Sequence, residues 1–276
     1  HTMDRLIATA ELLRRSYRYR GYIHIKIIPG ASHAAIDRVL SLASAVSLNI
    51  EVPGANHFSK LSATKRFETD IMDGLTYLSS RTERGGPHAR VTKTSQFIVG
   101  ASDETDREIL SHSWGMYRTL GYDRLYFSAY QQGLGDPCIP GEHVVPPNPG
   151  QGEQLWLTQL SLPRGNPEIL IREHRLYQAD YLFRSYGFSF NELIFDPSGN
   201  LAITQDPKSL WAEAHPEFFP VSLSQGSKEQ LLRVPGVGPT LAKRIVEHRR
   251  QHPLGSLECL RMPKHLMERA RPFLIR

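Results

Sequence analysis

Four strand patterns, separated by stretches with helical periodicity, constrain the fold of this chain more strongly than any other feature. The strand patterns, rich in β-branched and aromatic residues, lie at residues 22–28, 46–51, 94–99 and 125–130. The helix patterns between them lie at about residues 34–43, 65–78 and 104–120. Because strands alternate with helices, we predict an α/β fold with a parallel sheet or barrel.

Each strand pattern has one apolar and one polar face. In the first, Ile23, Ile25 and Ile27 alternate with His24 and Lys26. The polar positions of the later strands are Ser47, Asn49, Glu51, Gln96, Tyr126, Ser128 and Tyr130. A doubly wound sheet, covered on both faces, has continuous apolar runs instead. We therefore predict a partial TIM-like barrel with a polar interior, where His24, Lys26 and Gln96 face a substrate near the strand ends.

The chain is expected to divide into three parts. Residues 1–195 form the barrel, and residues 131–167, which are dense in glycine and proline, form its lid. A long helix over residues 169–186 follows the lid and is closed by Gly187. Residues 196–226 are a linker, and residues 227–276 form a small all-α module.

Positive charge is concentrated in the last of these parts. The net charge is +5, and residues 227–276 contain eleven Lys and Arg against four Glu. The rest of the chain contains 22 basic and 24 acidic residues, so we expect the module to meet a polyanion. No apolar stretch is long enough to cross a bilayer and no signal-peptide pattern is present, which predicts a cytoplasmic protein without a membrane partner.

The basic module contains the turn PGVGP, at residues 235–239, between two helix patterns. Ser227 and Gln230 have capping-box spacing at the start of the first helix. Gly236 and Gly238 allow a tight turn that approaches a phosphate closely, and the amides that begin the next helix point to the same place. The alternative is an ordinary turn between two helices that has no ligand.

The stretch LLRVPGVGPTLAKRIV resembles the helix-hairpin-helix family, whose pattern LxxVPGVGxxxAxxI binds the DNA backbone through amides without reading sequence. The resemblance implies DNA contacts at Val234, Gly236, Val237, Gly238, Thr240, Lys243 and Arg244. Arg249 and Arg250 are expected to add charge along the strand. A degenerate second copy over residues 257–270 has no glycine in its turn, so we expect it to complete the core without binding phosphate.

The rest of the chain carries a second resemblance, in the stretches GYIHIKIIPGAS, SLNIEVP, QFIVGASDETD and REHRLYQADYLFRSYGF. These resemble a bacterial family of DNA modification or DNA repair radical SAM proteins that is linked to a uracil-DNA-glycosylase-like partner. The resemblance implies S-adenosylmethionine, a [4Fe–4S] cluster and a 5′-deoxyadenosyl radical. It implies S-adenosylmethionine contacts at Asn49, Glu51, Gly100, Ser102, Glu104, Ser128 and Tyr130. The alternative for each is a buried polar residue that a neighbour satisfies.

The cysteines depart from that family. Radical SAM proteins hold the cluster with a CxxxCxxC loop, whereas this chain has two distant cysteines, Cys138 and Cys259. Three thiolates are required, so no cluster ligands and no other metal site are expected in this chain. We expect the cluster-bearing part to precede His1 in a longer protein, and the alternative is a degenerate member of the family. In both cases the chain is expected to be inactive alone. Cys138 is expected to be an ordinary loop residue.

Two other functions remain open. The first is a non-catalytic DNA-binding adaptor in a repair complex, with the barrel as a docking surface. The second is a metal-dependent barrel nuclease built on His24 and Glu51, against which the small number of ligands argues. A buried Lys26 requires an anionic partner, which is either Glu51 or a substrate.

Overall fold

A computed structural model describes residues 2–133, 135–143, 167–250 and 263–275. The chain divides into two compact units, His1–His174 and Arg175–Arg276. Most of the predicted lid, Cys259, and the positions Leu257, Leu260 and Met262 of the predicted second hairpin lie outside the described residues. The predicted domain boundaries at residues 195 and 226 stay predictions.

The first unit contains a four-stranded parallel sheet in the order β1-β2-β3-β4. Its strands are β1 (His24–Lys26), β2 (Ala45–Ser47), β3 (Thr92–Val99) and β4 (Arg124–Ala129). The register places Lys26 beside Ser47, Ser47 beside Thr94, and Gln96 beside Tyr126. The four predicted strands and their parallel pairing are confirmed. Closure of the sheet into a barrel stays a prediction.

One helix precedes β1, and four more lie between successive strands. They are α1 (Thr2–Glu11), α2 (His33–Leu40), α3 (Ala55–Leu61), α4 (Asp73–Arg81) and α5 (Asp106–Arg118). A π-helical turn at Phe67–Met72 leads into α4. The turn and α4 together match the predicted helix over residues 65–78. Thr105 and Glu108 form a capping box that fixes the start of α5. The predicted helices at residues 34–43 and 104–120 are confirmed as α2 and α5.

The edge strands β1 and β4 are buried mainly on one face, whereas β2 is buried on both. Ile25, Leu125 and Phe127 are buried on the apolar face, whereas Ser47 and Asn49 are buried on the polar face of the central strands. His24 and Lys26 are exposed, although the strand pattern predicted an interior position for both. The reason is that β1 is an edge strand of the described sheet. Gln96, on β3, is half-buried as expected for a central strand.

The second unit is mainly helical. Helix α6 (Pro167–Tyr181) begins before the unit boundary, continues as a wider turn to Tyr186 and ends at Gly187. The remaining helices are α7 (Pro207–Ala214), α8 (Lys228–Arg233), α9 (Pro239–His248) and α10 (Lys264–Ala270). Strands β5 (Val221–Ser222) and β6 (Leu274–Ile275) form a short parallel pair. The predicted long helix is confirmed, and the segment predicted as a linker contains α7 and β5.

Candidate nucleic-acid interface

The turn between α8 and α9 is held in one shape by local hydrogen bonds. Ser227 and Gln230 form the predicted capping box, with Gln230 Oε1 accepting from the Ser227 amide at 2.8 Å. The Val234 amide donates to Leu231 O, and the Val237 amide donates to Val234 O. Gly238 is the N-cap of α9 and Pro239 is its first residue. The chain therefore enters α9 with its first amides pointing out of the helix end.

Gly236 is required for two reasons. Its φ of +81° lies in the left-handed region, which favours glycine. A Cβ at this position would lie 2.5 Å from the Leu266 carbonyl oxygen of α10. Gly236 thus allows both the turn and its close packing against α10. Gly238 has an ordinary φ of −96°, and a Cβ there would approach Tyr186 Oη at 3.3 Å.

Two of the expected DNA contacts are part of the protein core instead. The side chains of Val234 and Val237 are 0% and 1% exposed. Both of their amides donate to carbonyls of the protein, as described above. They therefore hold the turn, and DNA contact at Val234 and Val237 stays a prediction. Of the predicted contacts, Thr240, Lys243 and Arg244 are exposed, and Gly236 and Gly238 are half-buried.

The cations of α9 have different roles. Lys243 is exposed and lies 3.7 Å from Glu247 one turn later, a contact worth little in water. Arg249 Nη1 donates to the Gly226 carbonyl at 2.6 Å, so its guanidinium fixes the segment before α8. Arg250 is exposed. Of the four cations predicted to lie along a DNA strand, Lys243, Arg244 and Arg250 are exposed, whereas Arg249 is bonded within the protein.

Helix α10 completes the small core around the turn. Ala270 is fully buried, and Leu266 and Met267 pack against the buried residues of α8 and α9. The rest of this core is formed by Val221, Leu223, Leu231, Leu232, Val234, Val237, Leu241, Ala242 and Ile245. This packing agrees with the expectation that the second copy completes the core.

A buried lysine, which the sequence pattern did not reveal, lies behind the turn. Lys208 Nζ donates to the Val237 carbonyl at 2.6 Å and lies 4.4 Å from the centroid of the Tyr186 ring. Its side chain is on α7, whose start is capped by Asp206. Burial lowers the pKa of Lys208 well below its usual value, and the nearby Arg233 charge lowers it further. In the sequence, Asp206-Pro207 is a typical helix start and so indicates that Lys208 lies on a helix. Nothing in the sequence indicates that Lys208 lies beside the turn.

At the carboxyl end of β3, three of the predicted S-adenosylmethionine contacts come together. The amides of Gly100 and Ser102 donate to the two Glu104 carboxylate oxygens at 2.5 and 3.0 Å. Arg172 Nη1 lies 3.5 Å from the same carboxylate. Burial raises the pKa of Glu104, and the Arg172 charge and these amides oppose the rise. The group is therefore satisfied internally, which matches the alternative role given to each residue above.

Asn49 and Glu51 meet at the carboxyl end of β2. Glu51 has a φ of +66°, and its amide donates to Gln96 O while its carbonyl accepts from the Ile98 amide. Burial raises the pKa of Glu51, and the Lys26 charge and a hydrogen bond from Asn49 oppose the rise. Lys26 thus has Glu51 as an anionic neighbour, one of the two partners expected for it.

Ser128 and Tyr130 lie at the end of β4. Ser128 is half-buried beside Ile98 of β3. Tyr130 Oη donates to Glu142 Oε1 at 2.7 Å, and burial together with that carboxylate raises the pKa of Tyr130 to about 12. The Gly141 amide donates to the Ala101 carbonyl. The described part of the predicted lid is therefore attached to the ends of β3 and β4.

A second polar cluster at this edge was not predicted. Ser102 Oγ donates to Asp103 and lies 2.8 Å from His57 Nδ1, while His57 Nε2 lies 3.3 Å from Glu108. Asp103 is also paired with Lys60, and the hydrogen bonds from Lys60 and Ser102 lower the pKa of the Asp103 carboxyl. Ser102 is therefore held on both sides by protein groups. The sequence pattern does not predict this cluster, because His57 lies 45 positions before Ser102.

Among the described residues, no group of three or more His, Cys, Asp or Glu side chains is arranged to hold a metal ion. Within the same ranges, no helix is both long and apolar enough to cross a membrane. Cys138 is exposed, and a hydrogen bond to Asp136 raises the pKa of its thiol, which lowers its reactivity.

The second unit thus contains two helices that are joined by a fixed glycine turn and packed on a third. A family model described as helix-hairpin-helix motif matches residues 220–275, which lie within the second unit. No curated protein and no solved structure matches the chain. The second unit therefore carries a helix-hairpin-helix motif, which indicates nucleic-acid binding.

Proposed function

We propose that this chain binds the DNA backbone through the turn between α8 and α9, without reading base sequence. The observation that carries the proposal is the start of α9, where Gly238 and Thr240 present backbone amides beside exposed Lys243. The first amides of a helix have no partner inside it, and the helix dipole adds positive potential there. A phosphate oxygen supplies both the acceptor and the negative charge.

The scaffold around the turn keeps these amides in place. The buried Val234 and Val237, the packing of Gly236 on α10, and the Lys208 hydrogen bond all fix the turn before DNA arrives. A group that is already ordered loses little conformational entropy on binding. Phosphate contacts position a protein without carrying sequence information, so we expect similar affinity for unrelated duplexes.

The experiment measures affinities for duplexes of unrelated sequence by fluorescence polarisation. We expect nearly equal dissociation constants for the wild type and a clear loss for the double variant Lys243→Gln, Arg244→Gln. The control is Lys65→Gln, Arg66→Gln, which removes the same charge from exposed positions of the first unit. Absence of binding, a strong sequence preference, or an equal loss in the control would each overturn the proposal.

As a second candidate, we infer that the first unit is part of a radical SAM barrel that modifies or repairs DNA, beside a uracil-DNA-glycosylase-like partner. The consecutive order of four parallel strands and the polar groups at their carboxyl ends support it. Asn49 and Glu51 are bonded to each other and Ser128 is half-buried, whereas the Gly100 and Ser102 amides donate to Glu104.

The [4Fe–4S] cluster does not fit this chain, because two distant cysteines cannot supply three thiolates. We therefore assign no radical step to its residues. The test of the second candidate is calorimetric titration of the chain with S-adenosylmethionine, compared with Asn49→Ala. Saturable heat that the variant lacks supports the candidate, and absence of heat in the wild type rejects S-adenosylmethionine binding by this chain.

A further inference from the structure

A cavity of about 330 Å³ lies in the second unit beside the hairpin turn. Tyr181, Tyr186, Lys208 and Arg269 line it together with the backbone of Gly236 to Gly238. The volume lies at the lower end of the range for pockets that hold small organic molecules. The same glycine turn therefore borders both the predicted phosphate site and a cavity of ligand size.

The cavity has an aromatic wall. The rings of Tyr181 and Tyr186 lie 5.5 Å apart at 77°, so one ring presents its edge to the other. Tyr181 is 44% exposed, whereas Tyr186 packs against the module core. Single-stranded nucleic acids are commonly held by stacking a base on such a half-exposed ring. The Arg184 guanidinium lies 5.6 Å from the centroid of the Tyr181 ring, and the exposed part of that ring offers a stacking surface at the rim of the cavity.

The cavity also has a cationic side, next to the Tyr186 ring. Lys208 is 8% exposed, and within the part of the chain that the structure describes it has no carboxylate partner. A buried ammonium that is held only by a carbonyl and a ring face gains from a nearby anion. Arg269, by contrast, is paired with Asp206 and donates to Ser209. Lys208 is therefore the group in the cavity that a phosphate would stabilise most.

We propose that this cavity takes one unpaired nucleotide of the DNA held at the hairpin, with its base against Tyr181 and a phosphate on the side of Lys208. The inference rests on the proposed function, because the hairpin delivers the strand to the cavity. A paired base remains within the duplex stack, so the ligand is a nucleotide at a strand end or an unpaired position. Gly236 to Gly238 border both sites, which places the neighbouring nucleotide within reach of the cavity.

The experiment compares the affinity of the chain for a fully paired duplex and for the same duplex with one unpaired nucleotide. We expect the wild type to prefer the unpaired substrate by about five- to a hundredfold, the range that one stacked base provides. Tyr181→Ala removes this preference and keeps the affinity for the paired duplex. Tyr181→Phe retains the preference, because the ring remains. Tyr17→Ala, which removes a 72% exposed ring from the first unit, leaves both affinities unchanged.

The outcomes separate this inference from the proposed function. Duplex binding without any preference, or a preference that survives Tyr181→Ala, overturns the cavity assignment while the hairpin proposal stands. If no DNA binds at all, the hairpin proposal fails, and the cavity is tested by itself with 2′-deoxyadenosine 5′-monophosphate in calorimetry. Saturable binding of this nucleotide that Tyr181→Ala weakens supports the cavity, and absence of heat overturns it.

Discussion

The ammonium of Lys208 on α7 donates a hydrogen bond to the carbonyl of Val237, which lies in the turn that begins α9. A residue 29 positions earlier in the chain thus fixes the turn through a hydrogen bond to its backbone. The bond uses a carbonyl on the inner side of the turn and leaves the amides of Gly238 and Thr240 for a ligand.

The pH dependence of stability is expected to reveal Lys208. Because burial lowers its pKa in the folded state, the unfolded chain binds more protons between that lowered pKa and the usual value of 10.5. Stability contributed by this residue therefore rises with pH across that window. Urea unfolding of the wild type and of Lys208→Met measures it, and the free energy of unfolding of the variant relative to that of the wild type should fall as the pH approaches 10.5. A pH-independent difference between the two proteins would contradict the assignment.

Replacement of Gly236 by alanine is expected to destabilise the second unit. The left-handed φ costs about 1–3 kcal/mol for a residue with a Cβ, and the contact with Leu266 O adds to it. Gly187→Ala is the matched control, because Gly187 also has a positive φ, of +72°, but no atom within 4 Å of its Cβ position. Denaturant unfolding should show a larger loss for Gly236→Ala. Equal losses would mean that α10 does not constrain the turn.

Salt dependence is expected to identify the phosphate contacts. Each contact releases condensed counterions, so affinity falls steeply as salt increases. Loss of Lys243 and Arg244 should reduce the slope of log affinity against log salt by about 2, or about 1 for each contact. Titrations over a series of salt concentrations measure the slope. Arg249→Gln serves as the comparison, since Arg249 is bonded to the Gly226 carbonyl and should alter stability more than slope.

Glu104 is expected to support the first unit rather than to bind a ligand. Glu104→Gln replaces one acceptor oxygen with a donor that faces an amide, which costs about 1–3 kcal/mol. The control Glu83→Gln changes an exposed carboxylate and should have little effect. Thermal unfolding of both variants measures the difference. A stable Glu104→Gln protein would show that the loop does not depend on this carboxylate.

Local periodicity was sufficient to predict the strands, most helices and the hairpin, because each depends on residues that are near in sequence. The capping box of Ser227 and Gln230 is an example. Contacts between residues that are far apart in the sequence could not be predicted from local periodicity. The pattern could not tell that Val234 and Val237 turn inward, nor that His57 reaches Ser102 or that Lys208 reaches Val237. The exposure of Lys26 depends on the edge position of β1, which the sequence does not specify.

Strands β5 and β6 pair side by side at the two ends of the matched segment, with Val221 beside Leu274. The matched segment therefore begins and ends on neighbouring strands, so its two ends lie close together. Circular permutants that join residue 275 to residue 220 by a short linker and open the chain elsewhere are expected to keep the hairpin intact.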